Sequence, residues 1–271
     1  MRNEHKIVLT PTQYIVLSAR MRALLPPDDH MPSPDGYLVS SLYLDTERDR
    51  AYEEKLAGSC DRRKYRLRIY GADASKVFLE CKQKFRDRIG KRSEPMSAEG
   101  YLAVCHGDFS PLSSGGALSR EVFALSRTER LQPRVAVTYR REAYLHPLSG
   151  TRITFDKELR AGCSPEAMTR QVSGASCAVF PIGDFPWQGA VIMEIKYNTC
   201  IARYLTEALQ IGGVTLAASK YVLCRDRLQS LRQVWHAGAL CANNLTERKG
   251  SPRRGGEDGE EDDALKSYPD I

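Results

Sequence analysis

RRKYRLRIYGADASKVFLECKQK, residues 62–84, reads as two strands joined by a turn. Arg62, Lys64, Arg66 and Arg68 fall at every second position, so in an extended chain all four project from one face. Glu80, Lys82 and Lys84 repeat the pattern in the second arm, and Gly71, Ala72 and Asp73 supply the turn. Between the charges, Tyr65, Leu67, Ile69, Val77, Leu79 and Cys81 are apolar and suit a layer of helices. Like charges on neighbouring strands destabilise one another. A face this cationic therefore points to an anion as its partner: a phosphate-binding wall, against the plainer reading of a basic outer surface.

The flanking sequence repeats the theme. RNEHKIVL places Arg2, Glu4 and Lys6 on one face of a first strand. Thr10 and Pro11 read as N-cap and first residue of a helix, with Ile15, Leu17, Met21 and Leu24 at helical spacing and Pro26 and Pro27 as its stop. YLVSSLYLDT reads as a buried strand ending at Asp45, and ERDRAYEEKLAG as a short helix closed by Gly58. After the basic hairpin, a loop carrying Arg86, Arg88, Lys91 and Arg92 is expected, then two helices, one capped by Ser97 and one starting at Ser119. RVAVTYRREAYL puts Tyr139 and Arg141 on one strand face; TRITFDKEL does so for Arg152, Thr154 and Asp156, and AVIMEIKYN for Glu194 and Lys196. Asp45 and Asp156 read as turn or capping groups at strand ends. Residues 160–188 read as irregular, and ARYLTEALQIG and SKYVLCRDRLQSLRQVWHAGAL as closing helices.

Composition sets the class. The 271 residues are 42% apolar and 27% charged, as in soluble globular proteins, and no apolar run approaches the roughly 20 residues that span a bilayer. MRNEHKIVLT lacks the apolar centre of a signal peptide, so a cytoplasmic location is expected. Cys60, Cys81, Cys105, Cys163, Cys177, Cys200, Cys224 and Cys241 form no CxxC pair and read as reduced and structural. Net charge is +6, but residues 244–271 hold five basic against eight acidic groups, leaving 35 against 26, or +9, for residues 1–243. We read residues 1–243 as one folded domain and 244–271 as a disordered acidic tail. The surplus calls for a polyanionic partner. Nucleic acid fits poorly, because the cations alternate with aliphatics rather than with base-stacking aromatics. No histidine stands in a constellation with Ser or Cys for nucleophilic catalysis.

A flat sheet with one cationic face would repel itself. The expected fold is therefore α+β: a closed antiparallel β-barrel tunnel with a basic interior and helices packed outside. RNEHKI, SLYLDT, RRKYRLRIYG, FLECKQK, VTYRREAY, RITFD, VIMEIKYN and SKY, in this order over about residues 1–230, resemble the polyphosphate polymerase domain of the vacuolar transporter chaperone (VTC) family, within the triphosphate tunnel metalloenzymes. That resemblance implies a polymerase that moves the terminal phosphoryl group of ATP onto inorganic polyphosphate with Mn²⁺ or Mg²⁺. Carried over motif by motif, Lys6, Arg66, Arg68 and Lys220 are the catalytic cations. Lys82, Lys84, Lys91, Arg141 and Arg152 contact phosphates, Tyr139 and Ser219 add neutral hydrogen bonds, and Glu194 holds the metal; Lys55 is a further candidate. Read from spacing alone, Glu194 is equally a partner for Lys196, and Glu4 and Glu80 are as suited to orienting lysines as to binding metal. The resemblance also implies a membrane-protein partner for a chain that is otherwise a monomer. A triphosphatase of the same fold and a non-catalytic polyphosphate-binding module remain as alternatives.

Triphosphate-hydrolysing relatives typically begin with alternating glutamates before a lysine, whereas this chain has Arg2, Glu4 and Lys6. Fewer carboxylates favour holding a phosphate chain over activating water. Arg2→Glu is therefore expected to raise free phosphate relative to transferred phosphate. Unchanged partitioning, measured with both products in one assay, would refute that role for Arg2.

Overall fold

Alternation of apolar and charged side chains builds ten strands into a single antiparallel sheet among the described residues. The computed structural model describes residues 3–71, 76–86, 88–162, 176–179, 188–210, 214–215 and 219–232. Arg2, most of 163–187 and the tail 244–271 lie outside them. The elements are β1 (Asn3–Leu9), α1 (Pro11–Leu24), β2 (Tyr37–Asp45), α2 (Arg50–Leu56), β3 (Asp61–Tyr70), β4 (Val77–Phe85), β5 (Arg88–Met96), α3 (Ala98–Cys105), a 3₁₀ turn (Ser110–Ser114) and α4 (Ala117–Thr128). There follow β6 (Gln132–Leu145), β7 (Arg152–Gly162), β8 (Ser176–Ala178), β9 (Val191–Tyr197), α5 (Arg203–Ala208) and β10 (Val214–Thr215). A last helix, α6, runs over 220–232. Met1–Ser230 is one compact unit, and the second, Leu231–Ile271, is almost wholly outside the described residues.

The expected closed barrel is not formed. Strand order is β10-β1-β9-β7-β6-β2-β3-β4-β5, with β8 beside β7, and no ladder joins the two ends among the described residues. The reason lies in strand edges: β1 pairs with β9 on one side and at Ile7 and Val8 with β10 on the other, while β4 pairs with β3 and β5. Side chains span the gap instead, with Lys82 Nζ on β4 3.3 Å from Glu4 Oε2 on β1.

Three other expectations change. The basic loop after the hairpin is strand β5, which pairs with β4 from Val77↔Met96 to Phe85↔Arg88. As a mostly exposed edge strand it needs no apolar alternation, so its sequence looks like a loop. Helix α4 begins at Ala117 rather than Ser119, because the Glu94 carboxylate of β5 accepts from the Leu118 and Ser119 amides at 2.7 and 3.0 Å and so supplies the cap. The third concerns the helices. α3 and α4 cover the outer face of β3 and β4, and α1 and α5 that of β1, β7 and β9. By contrast, Tyr221, Val222, Cys224 and Leu228 of α6 pack onto Tyr43, Val135, Val137 and Tyr139, on the face that carries the cations.

Local signals behave as read elsewhere. Thr10 caps α1 in a reciprocal box with Gln13, and the Ser97 hydroxyl accepts from the Gly100 amide. Asp45, 1% exposed, is a capping group of unusual reach. Its carboxylate accepts from the Ala51 and Tyr52 amides of α2 at 2.9 and 3.1 Å and from the Tyr221 hydroxyl of α6 at 2.5 Å. Asp45→Ala strands these buried donors and is expected to cost about 2–4 kcal/mol in urea denaturation. A loss within about 0.5 kcal/mol would show that Asp45 does not tie α6 to α2.

Candidate functional site

The strand period brings the charged residues together. A cavity of about 260 Å³ opens on the cationic face, lined by Glu4, Lys6, Tyr43, Lys55, Arg62, Lys64, Arg66, Arg68, Lys82, Lys84, Ile89, Tyr139, Arg141, Glu194, Lys196, Ser219 and Lys220. Eleven of these are Lys or Arg and two are carboxylates. Ten of the residues singled out by sequence stand here: Lys6, Arg66, Arg68, Lys82, Lys84, Tyr139, Arg141, Glu194, Ser219 and Lys220, and Lys55 with them. Lys91 and Arg152 are not in the lining. Lys91, on the edge strand, reaches Glu80 Oε1 at 2.6 Å. Arg152, the first residue of β7, donates to Asp28 Oδ2 at 2.7 Å and lies 3.4 Å from the Tyr37 hydroxyl.

Buried carboxylates behind the wall hold its cations in place. Asp156 is fully buried in the middle of β7, not at a strand end as its sequence position suggested, since β7 continues to Gly162. It accepts a bidentate pair from Arg141 at 2.6 and 2.7 Å and meets Lys220 Nζ at 2.5 Å. Glu194, 5% exposed, lies opposite Lys6 in the β1–β9 register. Its Oε1 is 2.7 Å from Lys220 and 4.0 Å from Lys6; its Oε2 is 3.2 Å from Lys196 and 3.9 Å from Arg141. Burial works to raise both carboxyls, yet the surrounding cations prevail and hold them below their ordinary values. Lys220 moves the other way: burial opposes its charge, but Asp156 and Glu194 raise it. The Arg141 and Lys220 cations also sit 5.2 and 5.1 Å from the Tyr139 ring centre, so Tyr139 is at once core and site wall.

On the opposite wall Glu80, 2% exposed, has the same task. Arg66 donates to its Oε2 at 2.7 and 2.8 Å and to the Tyr43 hydroxyl at 3.0 Å, and Arg68 lies 3.8 Å away while bonding Ser41. Burial pushes the Glu80 carboxyl up, but Arg66, Arg68 and Lys91 bring it down to about 2. Glu4 stands nearer the opening, at 3.6 Å from Lys6, 3.3 Å from Lys82 and 3.7 Å from Lys196.

Sequence reading did not assign Arg62, Lys64, Lys196, Tyr43 or Asp156 to the site. Arg62 and Lys64 were marked by their alternation with Arg66 and Arg68, and Lys196 by its place two residues after Glu194. Nothing in the sequence marked Tyr43, whose contribution depends on the β2–β3 register with Arg66.

For a metal, the available donors are the Glu194 and Glu4 carboxylates on neighbouring strands; no group of three or more His, Cys, Asp or Glu converges among the described residues. Such a sparse oxygen set fits a hard divalent cation that draws its remaining ligands from water and phosphate oxygens. Lys6 and Lys196 each bridge Glu4 and Glu194, offsetting the repulsion between them.

The model of the VTC domain family matches residues 1–229. No curated protein matches the chain. Among solved structures, a proposed adenylate cyclase from Bacillus halodurans is 11% identical at a TM-score of 0.49, over 78% of this chain and 90% of that one. A protein from Pyrococcus horikoshii is 13% identical at 0.43, over 84% and 99%. A proposed adenylate cyclase from Vibrio parahaemolyticus is 12% identical at 0.38, over 87% and 88%. No helix among the described residues is long and apolar enough to cross a membrane.

Because Glu80 binds its proton less readily folded than unfolded, its contribution to stability is full above its ordinary 4.5 and lost as pH falls toward about 2. Glu80→Gln should destabilise by about 3 kcal/mol at pH 7, leaving Arg66 and Arg68 without their counter-charge. In urea titrations the gap from wild type should narrow as pH falls below 4.5. A gap independent of pH would rule out this electrostatic role.

Proposed function

The chain belongs to the VTC domain family, and on that premise we propose that it is a metal-dependent polyphosphate polymerase, which transfers the terminal phosphoryl group of ATP to a growing inorganic polyphosphate chain. The observation that carries this reading is the cavity in which eleven cations and two glutamates converge. Phosphoryl transfer asks a protein mainly for positioning and charge neutralisation. Arg66, Arg68 and Arg141 are fixed by Glu80 and Asp156, so they present their forks to non-bridging phosphate oxygens without first having to order themselves. Lys6, Lys82 and Lys220 act as point charges beside them, and Ser219 and Tyr139 add neutral contacts. In the reaction a terminal oxygen of the acceptor polyphosphate attacks the γ-phosphorus of ATP. The bond to the β–γ bridging oxygen breaks, ADP leaves, and the chain grows by one phosphate.

Glu194, with Glu4, would hold Mn²⁺ or Mg²⁺, which when bound adds further neutralisation of phosphate charge. Within this chain, Lys220 is the residue that links the two ends of that arrangement: it touches Glu194 and Asp156, and through Asp156 senses Arg141.

Purified protein incubated with ATP and Mn²⁺ is expected to accumulate long-chain polyphosphate, with little free phosphate, and Glu194→Gln to lower polymer formation by about 100-fold or more. Free phosphate without polymer would replace this reading with a triphosphatase. Tight polyphosphate binding with neither product would replace it with a binding module.

A further inference from the structure

Helix α1 has two apolar faces. Leu17 and Met21 are buried against the outer face of the sheet, on the side away from the cavity. At 3.6 residues per turn, Thr12, Ile15, Val16, Ala19 and Ala23 share the opposite face, and all five are exposed. The solvent face of a surface helix ordinarily carries charge. Here its centre carries none; Arg20 and Arg22 stand at its two edges, and α1 contains no carboxylate.

The apolar surface continues past the end of the helix. Arg20 Nη1 donates to the Ala208 carbonyl of α5 at 3.1 Å. One turn on from Arg20 is Leu24, and one turn back from Ala208 is Tyr204, both exposed. The Tyr204 ring lies 6.0 Å from that of His146 in the β6–β7 turn, and the Leu145 amide ties this turn to the end of α1 by donating to the Pro26 carbonyl at 3.2 Å. Within the turn the Ser149 amide donates to His146 Nδ1 and the Gly150 amide to the His146 carbonyl, both at 3.0 Å, which holds Leu148 out at 92% exposure. Ile15, Val16, Leu24, Leu148 and Tyr204 are thus five large, exposed side chains on linked elements. The only carboxylate that α1, α5 and this turn supply is Glu207, which pairs with Arg203 at 2.9 Å.

We propose that this face docks directly on an anionic lipid surface. A contiguous exposed apolar patch marks an interaction site, and the charges select the partner: Arg20, Arg22 and Arg203 against the single Glu207 favour an anionic one. A helix lying in a membrane interface sets its apolar face at the boundary of headgroups and acyl chains, with arginines at the edges to meet lipid phosphates. α1 has that arrangement, and Tyr204 and Leu148 extend it. A second copy fits less well, because a two-fold pairing would bring the arginine edges of both copies together with one glutamate on each to offset them. Leu148 projects from its turn instead of filling a recess, and fluid lipid admits such a tip without a preformed pocket. The cavity opens on the other face of the sheet, so docking leaves it free and does not depend on the reaction performed there.

Co-sedimentation of the full chain with lipid vesicles tests this. The protein is expected to bind phosphatidylcholine vesicles containing about 30% phosphatidylglycerol about tenfold or more tightly than phosphatidylcholine alone, and less tightly as salt rises. Leu148→Glu and Ile15→Glu should each weaken that binding about tenfold, and because both side chains are exposed they should leave the urea midpoint unchanged. Phe85→Glu makes the same charge change at an exposed side chain of β4, next to the cavity-lining Lys84, and should weaken binding less than about threefold. Comparable losses in Phe85→Glu and Leu148→Glu would assign the binding to the cationic cavity or to overall charge and overturn the docking face. Equal binding to both kinds of vesicle, or to neither, would also overturn it. A dimer in sedimentation velocity that Leu148→Glu abolishes, with no vesicle binding, would give the face to a second copy instead.

Discussion

Three buried carboxylates carry this structure: Asp156, Glu80 and Glu194, each at most 5% exposed. A sheet face bearing so many cations cannot fold on alternation alone, because the like charges would repel across strands at close range. Each carboxylate answers that repulsion by accepting from two or more cations at once. Asp156 joins Arg141 to Lys220, Glu80 joins Arg66 to Lys91, and Glu194 draws in Lys220 and Lys196. Because a buried pair recovers its desolvation cost only with good geometry, the same contacts that let the sheet form also fix where the guanidinium and ammonium groups point. Stability and the orientation of the cavity's cations are thus one set of interactions.

That compensation stops short of the whole cavity. Asp45 draws α6 toward α2 through Tyr221, and Tyr221 in turn stacks on Tyr43 with ring centres 5.0 Å apart. The packing brings Ser219 and Lys220 into the cavity and covers Lys64 from above. One helix thereby completes the carboxylate-backed half and encloses the uncompensated half, so the two differ in charge although a single face of β3 serves both.

The open edge of the sheet follows from the same economy of pairing. β1 and β4 approach each other at Glu4 and Lys82, but each already has strand neighbours on both sides. An ion pair across the gap needs no backbone registration, so side chains alone bridge the two strands there.

Alternation in RRKYRLR, VTYRRE and VIMEIKY, read from the sequence by itself, determined the strands, the face on which Arg66, Arg68, Tyr139, Arg141 and Glu194 lie, and the cationic character of that face. A period of two is a local property of the backbone, independent of the rest of the fold. Tertiary structure alone decided what each charge would face. Asp156 looked like a strand-end residue because nothing local reveals that β7 continues to Gly162; β5 looked like a loop because an exposed edge places no apolar demand on its sequence. Whether the sheet closed, where α6 packed, and why Lys64 lacks the carboxylate that Arg66 possesses depend on strand register and on helices far away in sequence. Those are relations between segments, and only assembly of the chain sets them.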